Sequence, residues 1–135
     1  MSYSIDEIEG IGPTYAAKLG EVGIKTTEAY LERAKDPKGR KALEEETGID
    51  GKRILKWANM ADLMRISGVG EEYSELLEAA GVDTVKELKH RNAANLAEKM
   101  QEVNEAEKLV RQVPSESQVT KWVDQAKELP PMMTY

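Results

Sequence analysis

The 135-residue chain contains no cysteine, no phenylalanine, one histidine and two tryptophans. Without cysteine there is no disulfide frame, no thiol nucleophile and no cysteine-based zinc or iron–sulfur site. A single histidine narrows metal sites further. Without phenylalanine the core must be built from Leu, Ile, Val, Ala and Met, a set that suits helices. No apolar run approaches the length of a membrane span, Met1 to Ser4 carry no basic-then-apolar leader signal, and no stretch alternates with period two for long enough to make a sheet. Together these absences predict a soluble, cytoplasmic, all-α protein with no membrane partner and no cofactor.

Positive charge is also in deficit. The formal net charge is −6, with ten basic against twelve acidic groups up to Asp62 and nine against thirteen after it. The overall field opposes a polyanion instead of gathering one.

What is present is a repeat. The stretch Ile8-Glu9-Gly10-Ile11-Gly12-Pro13-Thr14-Tyr15, running on through Leu19 to Gly23-Ile24, returns as Ile66-Ser67-Gly68-Val69-Gly70-Glu71-Glu72-Tyr73, running on through Leu77 to Gly81-Val82. The glycines read as a tight turn between helices. Gly10 and Gly12 are both expected in the left-handed conformation that a residue without Cβ adopts freely, and Pro13 sits at a first helical position that needs no amide hydrogen. Counting back from Gly23 puts Leu19 and Ile24 in the two contact positions of a Schellman ending, and Leu77 and Val82 stand in the same relation to Gly81.

Other punctuation fixes the remaining helices. Ser4-Ile5-Asp6-Glu7 has the form of a capping box before about one helical turn. Thr26 or Thr27, Asp36 before Pro37, Asp50, Thr84 and Asn92 read as N-caps, Gly48 as a helix stop, and Ser115 as the cap of a last helix. That last helix repeats Trp57 as Trp122, and both tryptophans read as core, as do Tyr15 and Tyr73. The expected architecture is two tandem helical bundles of about five short helices each, at 4–61 and 62–129. The second carries a short helical insertion near 104–113, and a tail follows at 130–135, where Pro130-Pro131 end the last helix and Met132 to Tyr135 are either disordered or docked on a neighbour.

The glycine turns resemble the helix-hairpin-helix motif: apolar, Gly, apolar, Gly, three variable residues, a small residue (Ala16, Ser74) and an apolar one. The longer repeat, from about Ser4 to Leu129, resembles a bacterial family of tandem helix-hairpin-helix domains of unknown function, with bundles of the SAM-domain-like kind. The motif resemblance implies that the turn and the first amides of its second helix hold a nucleic-acid phosphate without reading sequence. Here those residues are Gly10, Ile11, Gly12 and Thr14, with Lys18 one turn along; Gly68, Val69 and Gly70 form a weaker equivalent. Glu71 and Glu72 stand where a phosphate would arrive in the second copy, and a carboxylate there already complements its own helix N-terminus.

The basic clusters Lys35, Lys38, Arg40 and Lys41; Lys52, Arg53 and Lys56; and Lys86, Lys89, His90 and Arg91 are interleaved with acids and read as solvated helix faces. No dinucleotide fingerprint, phosphate loop or nucleophile–base–acid arrangement is legible. The expectation is a non-catalytic binding or scaffold module that contacts a protein partner or itself. Sequence-independent binding of a DNA or RNA backbone through the first hairpin is the alternative.

Overall fold

A computed structural model describes residues 3–135; Met1 and Ser2, read above for a leader signal, lie outside the described residues. The described chain is all-helical. A 3-10 turn at Ile5–Glu7 precedes α1 (Pro13–Glu21), α2 (Thr27–Ala34), α3 (Pro37–Thr47), α4 (Gly51–Leu63), α5 (Glu71–Ala79), α6 (Val85–Leu88), α7 (Ala93–Glu107) and α8 (Glu116–Glu128). The only strand-like pairing among the described residues is one bridge between Ser4 and Thr26.

Local chemistry sets most of these boundaries. The side chains of Thr26, Asp36, Asp50, Thr84, Asn92 and Ser115 each accept a backbone N–H from the first turn of their helix, satisfying donors that a helix start leaves orphaned. The stops are equally local. Ile24 N–H donates to Leu19 O at 2.9 Å and Gly23 N–H to Gly20 O at 3.0 Å; Val82 to Leu77 and Gly81 to Glu78 repeat the pattern at 2.9 and 3.0 Å. With Gly23 at φ 85° and Gly81 at φ 95°, both ends are Schellman endings.

Four expectations need correction. Ser4 makes no cap bond; its hydroxyl donates to Asp6 Oδ1 at 2.7 Å, and backbone pairing of Ile5 N–H with Lys25 O places the segment. Gly12 is extended at φ −85°, ψ −175°, not left-handed, because Gly10 alone reverses the chain at φ 95°.

No helix fills 108–113. α7 continues to Glu107 and stops at Lys108, φ 52°, and the following loop is pinned by Asn104. Its amide donates to Val110 O at 3.1 Å and accepts Val110 N–H at 2.9 Å, replacing the pairing that a helix would supply. The second stretch also has four helices, not five, because α4 runs directly into the Met64–Ser67 turn where a separate opening helix was expected.

Two apolar cores result. The first gathers Ile5, Ile8, Leu19, Tyr30, Leu43 and Trp57 with their neighbours, the second Val69, Leu77, Leu88, Met100 and Trp122 with theirs. α4 serves both. Every residue from Trp57 to Leu63 is buried, as in a helix enclosed on all sides, and Met60 and Met64 enter the first core while Leu63 enters the second. The position between Ala61 and Asp62 therefore lies inside a continuous helix. Residues 130–135 are ordered against the first core, where Met133 is buried.

At the end of α4, Asp62 is 1 % exposed. Its Oδ2 accepts Val85 N–H at 2.8 Å and its Oδ1 accepts Arg65 Nη1 at 2.8 Å. Arg65 Nη2 then donates to Pro130 O at 2.7 Å. One carboxylate thus joins α4, the first amide of α6 and the start of the tail.

Candidate functional site

Each glycine turn is seated on a tryptophan. A Cβ on Gly10 would meet Trp57 Nε1 at 3.3 Å, and a Cβ on Gly68 would meet Trp122 Nε1 at the same 3.3 Å. At φ 95° and 93° both positions also occupy backbone space that suits glycine. Tyr15 packs on Trp57 and Tyr73 on Trp122, each pair with ring centroids 5.1 Å apart. Ile11 and Val69 point into the cores, so within each turn the middle residue is an anchor. Exposed polar groups come from the flanking positions.

Those flanks differ from every other α-helix start in one respect. α1 and α5 have glycine at the N-cap and no side-chain cap bond, whereas α2, α3, α4, α6, α7 and α8 are all capped. Gly12 and Gly70 have nothing within 4 Å of an added Cβ, and their φ values of −85° and −107° are open to any residue. Neither packing nor backbone conformation requires glycine there.

Thr14 is exposed and Lys18 half-buried. The Lys18 ammonium lies 6.0 Å from the Tyr15 ring centroid, and the Arg53 guanidinium lies 5.8 Å from it. Of the predicted site residues, Lys18 thus lies beside Tyr15, Gly10 is seated on Trp57, Ile11 is buried, and Gly12 and Thr14 are exposed. Gly68, Val69 and Gly70 form a second turn with Glu71 and Glu72 in the first turn of its helix.

The electrostatics link the two turns. The side chain of Glu9, from the first turn, is the main cause of a Glu71 pKa raised from 4.5 to about 7; desolvation and repulsion from Glu7 and Glu72 add to it. Glu75 is raised by desolvation and then by Glu9. Desolvation also raises Glu78 and Asp83, and Glu78 Oε2 is a buried oxygen with no hydrogen-bond partner. Acids of both turns are therefore close enough to act on one another. The basic residues beside these acids are Arg111, 3.9 Å from Glu72, and Lys56, 4.0 Å from Glu78, while Arg53 near Tyr15 pairs with Asp50 at 2.6 Å.

A pH dependence of stability follows from these shifts. The folded chain holds a proton on Glu71 that the unfolded chain releases near its ordinary value, so stability is lost as pH rises from 4.5 through about 7. Glu75, Glu78 and Asp83 act with the same sign. Thermal unfolding followed at about pH 5 and about pH 8 should give the lower midpoint at the higher pH, and Glu71→Gln should flatten the difference.

Sequence reasoning missed the pairing of Glu9 with Glu71, the Asp62 junction and the seating of the tail. Asp62 did leave a signal, as a lone acid in the apolar run from Ala58 to Met64. Glu9 left none, since its partner lies in the other copy. Among the described residues no group of three or more His, Cys, Asp or Glu could hold a metal ion, and no helix is long and apolar enough to cross a membrane.

No curated protein and no solved structure matches the chain. Residues 9–129, spanning both glycine turns and α8, match the family described as Domain of unknown function (DUF4332), and the chain belongs to that family.

Proposed function

We propose that the chain is a non-catalytic helical interaction module, built from two tandem helix-hairpin-helix units at 4–61 and 62–129, that works by contact with a protein partner or with another copy of itself. The observation that carries this reading is that Glu71 and Glu72 stand in the uncapped first turn of α5, with Glu9 of the first turn near enough to Glu71 to raise its pKa. Carboxylates there oppose an incoming phosphate, in a chain whose net charge is −6. A phosphate within 4–6 Å of such a carboxylate meets repulsion of roughly 1 kcal/mol or more. On this reading the hairpins are packing devices, each glycine turn resting on a tryptophan.

A second reading has its own observation. The α1 start is uncapped, Gly12 is required by neither space nor φ, and Lys18 lies one turn along. Such a start suits an anion, because unpaired amides and the helix dipole both favour negative charge there. That reading assigns sequence-independent binding of a DNA or RNA backbone to Gly10, Gly12, Thr14 and Lys18.

Titration of a labelled short duplex and a single strand from low to moderate salt separates the two. The module reading expects no saturable binding at low salt, in the wild type or in Lys18→Glu. Binding that falls steeply with salt and is lost in Lys18→Glu would overturn it in favour of the second, since phosphate contacts release counterions.

A further inference from the structure

Residues 130–135 leave the second half of the molecule and lie across the first. Met133 is 7 % exposed within the first core, and Met132 packs against that core. Both backbone groups of Thr134 are used: its N–H donates to Lys35 O at 2.8 Å, and its carbonyl accepts from Arg40 Nη2 at 2.7 Å. The Tyr135 hydroxyl donates to Asn59 Oδ1 at 2.8 Å, and the Arg40 guanidinium lies 5.5 Å from its ring centroid. Main-chain bonds, one buried apolar anchor and one recognised hydroxyl are the means by which a groove takes an extended peptide.

The seats for this segment, Lys35, Arg40 and Asn59, come from α3, α4 and the turn after α2. None is on α8, the helix that carries the segment. The link is Pro130-Pro131, two residues without an N–H that helix or turn could claim. Arg65 holds the Pro130 carbonyl at 2.7 Å and so fixes the pivot. Beside Met132 the groove continues into a cleft of about 260 Å³ floored by Leu31 and Ala61, which leaves one side of the seat open.

We propose that this groove is a self-association site whose occupant in trans is the 130–135 segment of a second copy of the chain. The proposal deepens the protein-contact reading above and rests on it. Reciprocal exchange keeps the bonds at Lys35, Arg40 and Asn59, and it produces a closed pair with two-fold symmetry. The tethered segment competes for its own groove at an effective concentration of about millimolar. Exchange therefore shows when copies are that concentrated or when the internal seat is disabled.

Two full-length variants disable opposite sides. Arg40→Glu spoils the groove and leaves the segment intact, while Met133→Asp spoils the segment and leaves the groove intact. In sedimentation each variant alone should run as one chain, and an equimolar mixture should run with the mass of two. A mixture that stays at one chain, with both variants showing wild-type circular dichroism, overturns the proposal.

The wild type gives a measurement independent of variant folding. Refolded from urea at rising concentration, it should yield a dimer fraction that grows toward the millimolar range. A chain that is monomeric throughout that range refutes exchange. Failure of exchange and failure of the module reading are distinguishable: monomers without duplex binding sink exchange alone, whereas salt-steep duplex binding sinks the reading beneath it.

Discussion

Asp62→Ala is expected to remove about 3–5 kcal/mol of stability, the usual cost of breaking a buried pair from one side. Both carboxylate oxygens are occupied, one by Val85 N–H and one by Arg65 Nη1, each at 2.8 Å. Alanine would take this acceptor from the first amide of α6 and from the Arg65 side chain, which is 14 % exposed and would keep only the Pro130 carbonyl. Neither is placed to recover it from water at no cost. Against a total of about 5–15 kcal/mol for a domain, the loss should be plain in urea denaturation as a lower midpoint.

Asn is the informative control. Its amide oxygen can still accept Val85 N–H, so Asp62→Asn should lose less than alanine does, by an amount that reports the charge on the Arg65 contact. A double-mutant cycle with Arg65→Ala should give non-additive losses, because the two side chains share one bonded unit. Losses that simply add, with a small effect for Asp62→Ala, would mean that α6 is held by Thr84 alone.

Trp122→Ala should be comparably severe, about 3–5 kcal/mol, because removing a large buried ring deletes apolar burial and leaves a cavity. Trp122 is 2 % exposed. It also has two dependents: Tyr73, at 5.1 Å between centroids, and the Gly68 turn, whose backbone comes close enough that a Cβ would sit 3.3 Å from the indole nitrogen. The cavity would open beneath a turn that α8 would then hold only through Gln125, whose side-chain amide accepts Ser67 N–H at 3.0 Å and donates to Ser67 O at 3.3 Å. Trp57→Ala should behave alike, since Tyr15 and Gly10 repeat the same contacts at the same distances. Urea denaturation of the two variants, followed by circular dichroism, checks this. A loss below about 1 kcal/mol in either would place the ring outside the core.

What the sequence discloses and what it hides differ by range. Thr26, Asp36, Asp50, Thr84, Asn92 and Ser115 act within three residues, and Leu19-Gly23-Ile24 within five, so both are readable in a linear string. Gly12 misled because two glycines flanking one apolar residue invite two left-handed assignments, yet a single reversal at Gly10 is sufficient. The 104–113 stretch misled because Asn104 replaces helical pairing with a side-chain amide, and composition does not reveal which backbone groups it will meet.

At the candidate site, Gly10, Ile11, Gly12, Thr14 and Lys18 are close in the chain, so local spacing alone could name them. Its electrostatic character depends on Glu9 lying near Glu71, a residue of the other copy. Periodicity and motif carry no information about such a meeting. Met133 is similar: an apolar residue after two prolines looks free until the groove that receives it is known.

The placement of Met133 also bears on the order in which the molecule is completed. The first core is made of residues that leave the ribosome early, but one of its buried members is residue 133. At about 5–20 residues per second, several seconds separate Met64 from Met133 during synthesis. Throughout that interval the groove formed by Lys35, Arg40 and Asn59 stands open on a nascent chain, exposed to chaperones and to neighbouring chains on the same message. The half that is translated first is therefore sealed last.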